Sequence, residues 1–214
     1  VAIVGAIDIE PGDEIIVTPW TMVATATCIL QWNAIPVFVD VDPNTFNIDV
    51  DQIAEKITPA TKAILPVHLF GLAADMGPIN MLAKKHKLWV VEDAACGFGS
   101  LYHGQHVGTF GDTGCFSFHP RKAITTGEGG MVTTGNKDLA EKIQRLRDHG
   151  AAISDLQRHL GPKPYLLADH PDAGYNQRMT DIQGAIGAKQ MERANDIVLE
   201  RRRLASVYDA AFAD

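Results

Sequence analysis

The chain has 214 residues, 46% apolar and 21% charged, with a formal net charge of -7. That is an ordinary globular composition, long enough for one large domain or two small ones. The acidic balance and the absence of any Lys/Arg-rich block argue against a nucleic-acid binder, and no uninterrupted apolar run reaches transmembrane length.

The opening residues, "VAIVGAIDIEPGDE", lack both the charged start of a signal peptide and an initiator Met. They read as the interior of a longer protein. A Pro-Gly-Asp turn then leads into a strand over 13–19, followed by a helix over 22–33 and a strand over 36–42. A helix over 49–57, a strand over 62–69, a helix over 75–87 and a strand over 88–93 continue the alternation. Two further strand-like runs cover 114–118 and 129–134. In 137–150, Leu139, Ile143 and Leu146 recur at helical spacing before Gly150, a C-terminal stop. Residues 151–178, rich in Pro, Gly, His and Asp, read as a long functional loop, and 180–212 as a helix-rich end. Strands alternating with helices predict an α/β domain with a mostly parallel sheet flanked by helices. Ligands of such sheets gather at the carboxyl ends of the strands.

Two stretches bring chemistry to that edge. In "LWVVEDAACGFGS", Glu92 and Asp93 end an apolar strand of the kind buried on both faces. Asp93 either caps the following turn or presents a carboxylate to a cationic ligand group. The "GFGS" that follows is not a dinucleotide fingerprint, because Tyr102 stands where its third glycine belongs, and no Walker pattern occurs. In "SFHPRKAITTGEGG", Lys122 sits in a glycine-closed turn, with hydroxyls from Ser117, Thr125 and Thr126 nearby in sequence. A lone lysine there is most often a solvated charge. Beside an anion site, a partly desolvated lysine can form a Schiff base. A Schiff-base lysine and a strand-end Asp together are what pyridoxal 5'-phosphate (PLP) chemistry requires, since a carboxylate must keep the pyridine nitrogen protonated.

The remaining candidates are weaker. His103 and His106, or Cys115 and His119, have conceivable metal-ligand spacings, but HExxH is missing and the surroundings are loop-like, so no metal site is assigned. Cys28, Cys96 and Cys115 are odd in number and without CxxC spacing, which favours free thiols in a reducing, cytoplasmic compartment.

Taken in order, "PGDEIIVTPWTMVATATCI", "PVFVDVDPNTFNID", "PVHLFGLAADM", "VVEDAACGFGS", "GDTGCFSFHPRKAITTGEGGMVTT" and "GYNQRMTDIQGAIGAKQMERAN" resemble the DegT/StrS-type PLP-dependent nucleotide-sugar aminotransferases. The resemblance runs nearly end to end. It implies the type I, aspartate-aminotransferase-like fold, with residues 1–214 forming a PLP-binding large domain. The family's extreme N-terminal Gly-Thr turn and C-terminal small domain would lie outside the chain. Carried over by position, Lys122 would tether PLP and move protons, Asp93 would pair with the pyridine nitrogen, and Ser117 would bind the phosphate. Asn176 would reach the phosphate of the partner subunit's cofactor, which implies a homodimer with shared active sites.

Two positions depart from the family pattern. Cys96 replaces the usual Gln near the cofactor's phenolic oxygen, and Met22 replaces an aromatic residue that often stacks on the ring. Relatives that dehydrate or deoxygenate sugars carry His where this chain has Lys122, so the resemblance implies amino transfer. The expected reaction moves an amino group from glutamate, or a similar donor, to a keto group of a nucleotide-linked sugar, as in amino-sugar and polysaccharide biosynthesis. A keto-cyclitol aminotransferase and a non-catalytic PLP-binding regulatory relative are the alternatives.

Overall fold

The computed structural model describes residues 1–163, 165 and 167–213. A short helix α1 (Ala2–Ala6) precedes β1 (Glu14–Val17), α2 (Ala24–Leu30), β2 (Ile35–Phe38) and α3 (Val50–Lys56). β3 (Thr61–Leu65), α4 (Met76–His86) and β4 (Trp89–Asp93) complete the first half. A small antiparallel hairpin, β5 (Leu101–Tyr102) and β6 (Gln105–His106), leads to β7 (Thr113–Ser117) and β8 (Gly130–Thr133). The helices α5 (Lys137–Leu146), α6 (Asp155–Leu160), α7 (Asp181–Met191) and α8 (Ala194–Ala211) follow.

Among the described residues the main sheet has the order β2-β1-β3-β4-β7-β8. β1 to β4 and β7 run parallel, and only β8 turns back against β7. Successive side chains of a strand point to opposite faces, and here both faces are dry. Ile15, Val17, Ala63, Leu65 and Val91 face a layer built by Ile3, Ile7, Ile29, Leu139, Ile143 and Leu146, from α1, its end, α2 and α5. The intervening Ile16, Ile64 and Val90 face Ile53, Met76 and Ile79 of α3 and α4. The continuous apolar runs of β1, β3 and β4 are thus explained by helices on both sides. The polar ends of β4 and β7, Asp93 and Ser117, are left at one edge.

The expected elements lie where they were read, with shifted ends. The helix expected over 22–33 spans Ala24–Leu30, and the strand expected over 36–42 spans Ile35–Phe38. After β2 the chain turns, because Asp42 accepts hydrogen bonds from the N–H groups of Asn44 and Thr45. The helix expected over 137–150 ends at Leu146, whose carbonyl is taken by the N–H of Tyr175. Gly150 lies beyond it, at φ +77°, and its N–H returns to the carbonyl of Arg145. The region expected as a loop over 151–178 contains α6, started by a capping box between Ser154 and Gln157. Positions 164 and 166 of that loop lie outside the described residues. Neither α1 nor the β5–β6 hairpin is expected from the sequence. Among the described residues no helix is long and apolar enough to cross a membrane.

Candidate active site

β4 delivers Asp93 to the carboxyl edge of the sheet, where its main chain is locked on both sides. Its N–H donates to the carbonyl of Pro66 at 2.8 Å, and its carbonyl accepts from the N–H of His68 at 3.0 Å. The side chain is held equally well. Oδ1 accepts from the N–H of Ala95 at 3.0 Å, and Oδ2 accepts from the Thr25 hydroxyl of α2 at 2.8 Å. Asp93 therefore does cap the turn after the strand, and it still has lone pairs for a ligand.

The neighbouring Glu92 points the other way, into the interior, and is fully buried with His68. Its Oε2 accepts from His68 Nε2 at 3.0 Å and Gly108 N at 2.7 Å. Its Oε1 accepts from Phe110 N and Gly111 N, both at 2.7 Å. His68 Nδ1 accepts the N–H of Ala74, so the ring is neutral and its single proton sits on Nε2. Burial pushes the Glu92 pKa up. The hydrogen bonds from His68, Gly111 and Gly108 outweigh it and hold the carboxyl below its ordinary value. The two adjacent acids thus divide the work: Glu92 staples the 108–111 loop to the sheet, and Asp93 faces the edge.

β7 pairs beside β4, with Cys115 opposite Asp93. Ser117 lies two residues further along β7, on the same face as Cys115. The chain then turns through Lys122, whose N–H donates to the carbonyl of His119 at 2.9 Å. The hydroxyls of this turn differ in what they have left to give. Thr125 donates to the carbonyl of Phe118 at 3.0 Å and Thr126 to that of Glu128 at 2.7 Å. Ser117 Oγ instead accepts from His119 N at 3.3 Å, which leaves its own proton for an incoming acceptor. Thr125 and Thr126 hold the turn, and Ser117 is the hydroxyl with a proton to offer. Gly127, at φ +81°, supplies the left-handed conformation that closes the turn.

Lys122 Nζ lies 3.0 Å from Cys96 Sγ. Cys96 is only three residues beyond Asp93, so this contact brings the lysine turn over the end of β4. Cys96 is exposed, whereas Cys28 and Cys115 are not, and burial pushes the thiols of those two up, with the charge of Asp93 adding to the rise. α8 lies against the same region: Arg202 donates to the carbonyl of Gly99 at 3.0 Å and Arg201 to that of Lys122 at 3.4 Å.

Asp93, Cys96, Ser117 and Lys122 are thus gathered at the ends of two adjacent parallel strands, an amine, a carboxylate and a hydroxyl that could together hold an aromatic, phosphate-bearing group. Met22 is exposed, and its Sδ accepts the N–H of Ala24 at 3.1 Å. Asn176 is exposed on a segment bridged to Asp148, and no hydrogen bond among the described residues joins it to the cluster. His103 and His106 belong to the β5–β6 hairpin, and His119 lies 3.9 Å from Glu128. The functional contacts missed in the sequence are those of Thr25, His68 and Arg201. All three come from distant parts of the chain and carry no local signal.

Residues 2–214 match the DegT/DnrJ/EryC1/StrS aminotransferase family. The chain is 45% identical over 208 residues to the GDP-perosamine synthase of Caulobacter vibrioides, covering 97% of this chain and 53% of that protein. It is 43% identical over 204 residues to the UDP-N-acetyl-3-dehydro-alpha-D-glucosamine 3-aminotransferase of Acidithiobacillus ferrooxidans, covering 95% and 52%. Spr1654 from Streptococcus pneumoniae, solved in a PLP form, superposes with a TM-score of 0.87 at 29% identity, over 99% of this chain and 58% of that one. The chain spans about half the length of the curated relatives it matches. With the motifs, the fold and the edge cluster in agreement, the chain belongs to the DegT/DnrJ/EryC1/StrS aminotransferase family.

Proposed function

We propose that this chain is the cofactor-binding large domain of a PLP-dependent aminotransferase acting on a keto group of a nucleotide-activated sugar. The observation that carries the reading is the convergence of Lys122, Asp93 and Ser117 on one sheet edge, each with its reactive group available. Lys122 Nζ contacts only a thiol by hydrogen bond among the described residues. Asp93 keeps lone pairs beyond its two donors, and the Ser117 proton is uncommitted. This donor set fits PLP: an amine for its carbonyl carbon, a carboxylate for its ring nitrogen and a hydroxyl for its phosphate.

When bound, PLP supplies the electron sink that lets a Cα–H bond break. In this reading Asp93 keeps the ring nitrogen protonated, held in place by Thr25 and Ala95. Ser117 donates to the phosphate and fixes the orientation of the ring. Lys122 tethers the cofactor; once displaced by the amino donor, its free amine takes a proton at Nζ and returns it on the other side of the exchange. Cys96 lies beside that amine, at the position where the family resemblance implies Gln is usual, and Met22 at one where it implies an aromatic side chain is often found. Glutamate as donor, a homodimer in which Asn176 reaches the partner subunit's cofactor, and a cytoplasmic site of action complete the proposal. The names of the two relatives, one acting at a GDP-linked and one at a UDP-linked sugar, support the substrate class.

The test uses the full-length protein. Incubation with PLP followed by borohydride should fix the cofactor on Lys122, and Lys122→Ala should leave no adduct. With glutamate and a panel of nucleotide-linked keto sugars, 2-oxoglutarate should accumulate. An adduct that persists in Lys122→Ala overturns the assignment of the tether. A trapped cofactor without 2-oxoglutarate from any sugar overturns the assignment of the reaction.

A further inference from the structure

Asp93 lies among few polar competitors. In register across β7 stands Cys115, and Cys28 of α2 is near enough for the Asp93 charge to act on it; burial pushes both thiols up. His68 approaches with its main-chain N–H, and the His68 ring is already committed to Glu92 and Ala74. Lys122 is tied to the same strand end through Cys96. The orientation of the carboxylate therefore rests on two donors: the local N–H of Ala95, and a hydroxyl from a residue 68 positions away in sequence.

That hydroxyl belongs to Thr25, which is 4% exposed in the first turn of α2. Its Oγ1 also lies 2.9 Å from Thr21 Oγ1. A hydroxyl has one proton, and an ionised carboxylate can only accept. The Thr25 proton is therefore committed to Asp93, and Thr21 must donate to Thr25. The two threonines form a one-way chain of hydrogen bonds ending on Asp93 Oδ2. Such chains polarise each successive donor, and charge-assisted bonds are the stronger kind.

We propose that Thr25, backed by Thr21, is a positioning residue that holds Asp93 against the ring nitrogen of the cofactor and so tunes the proton affinity of the lysine nitrogen joined to it. The inference rests on the PLP reading above. Without the Thr25 hydroxyl, Oδ2 loses its only side-chain donor among the described residues and the carboxylate can rotate away. A less firmly protonated ring withdraws fewer electrons, so the nitrogen of tethered Lys122 keeps its proton to higher pH.

The test compares full-length wild type, Thr25→Val, Thr25→Ser and Thr21→Val, each loaded with PLP. The readouts are PLP affinity, the pH midpoint of the bound cofactor's absorbance, and the borohydride adduct on Lys122. Thr25→Val should still give the adduct, bind PLP about tenfold more weakly and move the midpoint up by about one pH unit, as expected for the loss of one hydrogen bond to a charged group. Thr25→Ser should restore wild-type values. Thr21→Val should move the midpoint in the same direction by less, and it carries the test if Thr25→Val does not fold. An unmoved midpoint in both Val variants, or a Ser variant that behaves like Val, overturns the inference while leaving the adduct, and the PLP reading, intact. No adduct in wild type overturns both.

Discussion

Replacing Glu92 with Gln changes one atom's charge and little of its shape, yet the structure predicts a large loss of stability. The Glu92 carboxylate accepts four hydrogen bonds in a fully buried setting, two at each oxygen. Gln offers one oxygen. If that oxygen faces Phe110 and Gly111, the new NH2 meets the N–H of Gly108 and the Nε2–H of His68. The ring cannot escape by moving its proton, because Nδ1 would then meet the N–H of Ala74. In the opposite rotamer Phe110 and Gly111 lose their acceptor instead. Either way two buried donors are left unpaired, at about 1–3 kcal/mol each, or about 2–6 kcal/mol together. For a domain of this size that corresponds to a fall in Tm of about 10 °C.

The pH dependence has a definite sign. The Glu92 pKa is lower in the folded chain than in the unfolded one, where it is about 4.3. Its contribution is therefore fully present above that value and is lost as pH falls through the folded pKa. Gln does not titrate, so the gap between wild type and Glu92→Gln should narrow on acidification below about pH 4. Circular dichroism melts and urea unfolding at neutral and acid pH measure both effects. A variant that melts within about 1 °C of wild type, or that keeps the full gap in acid, would refute the reasoning.

Two smaller predictions concern groups outside the site. The buried hydroxyl of Thr113 has no hydrogen-bond partner among the described residues, so Thr113→Val should be neutral or stabilising by up to about 1 kcal/mol in urea unfolding; a clear destabilisation would mean that the hydroxyl is paired in solution. Cys96 is exposed whereas burial raises the pKa of Cys28 and Cys115, so a thiol reagent at neutral pH should modify one cysteine quickly and two slowly; in Cys96→Ser the fast phase should vanish, and its survival would contradict the assignment.

Much of this protein is legible in its sequence because the signals are local and repeated. The apolar runs of β1, β3 and β4, the 3.6-residue spacing of Leu139, Ile143 and Leu146, and the Pro and Gly punctuation all act within a few residues. So do the motifs around Asp93 and Lys122, which point to the family that residues 2–214 match. Element ends were less legible, because long-range bonds set them: α5 stops at Leu146, where the N–H of Tyr175 takes a carbonyl that a longer helix would have used.

What tertiary structure alone decided is which polar groups are spent and which are free. Thr25, Thr125, Thr126 and Ser117 are interchangeable as hydroxyls in the sequence. Folded, the first holds Asp93, the next two hold a turn, and only Ser117 keeps a proton for a ligand. Glu92 and Asp93 are likewise adjacent acids until the pleat sends one inward to four donors and the other to the edge. The reason is geometric: a strand alternates its faces and a hydroxyl has one proton, so partners tens of residues away determine the role that each residue can play.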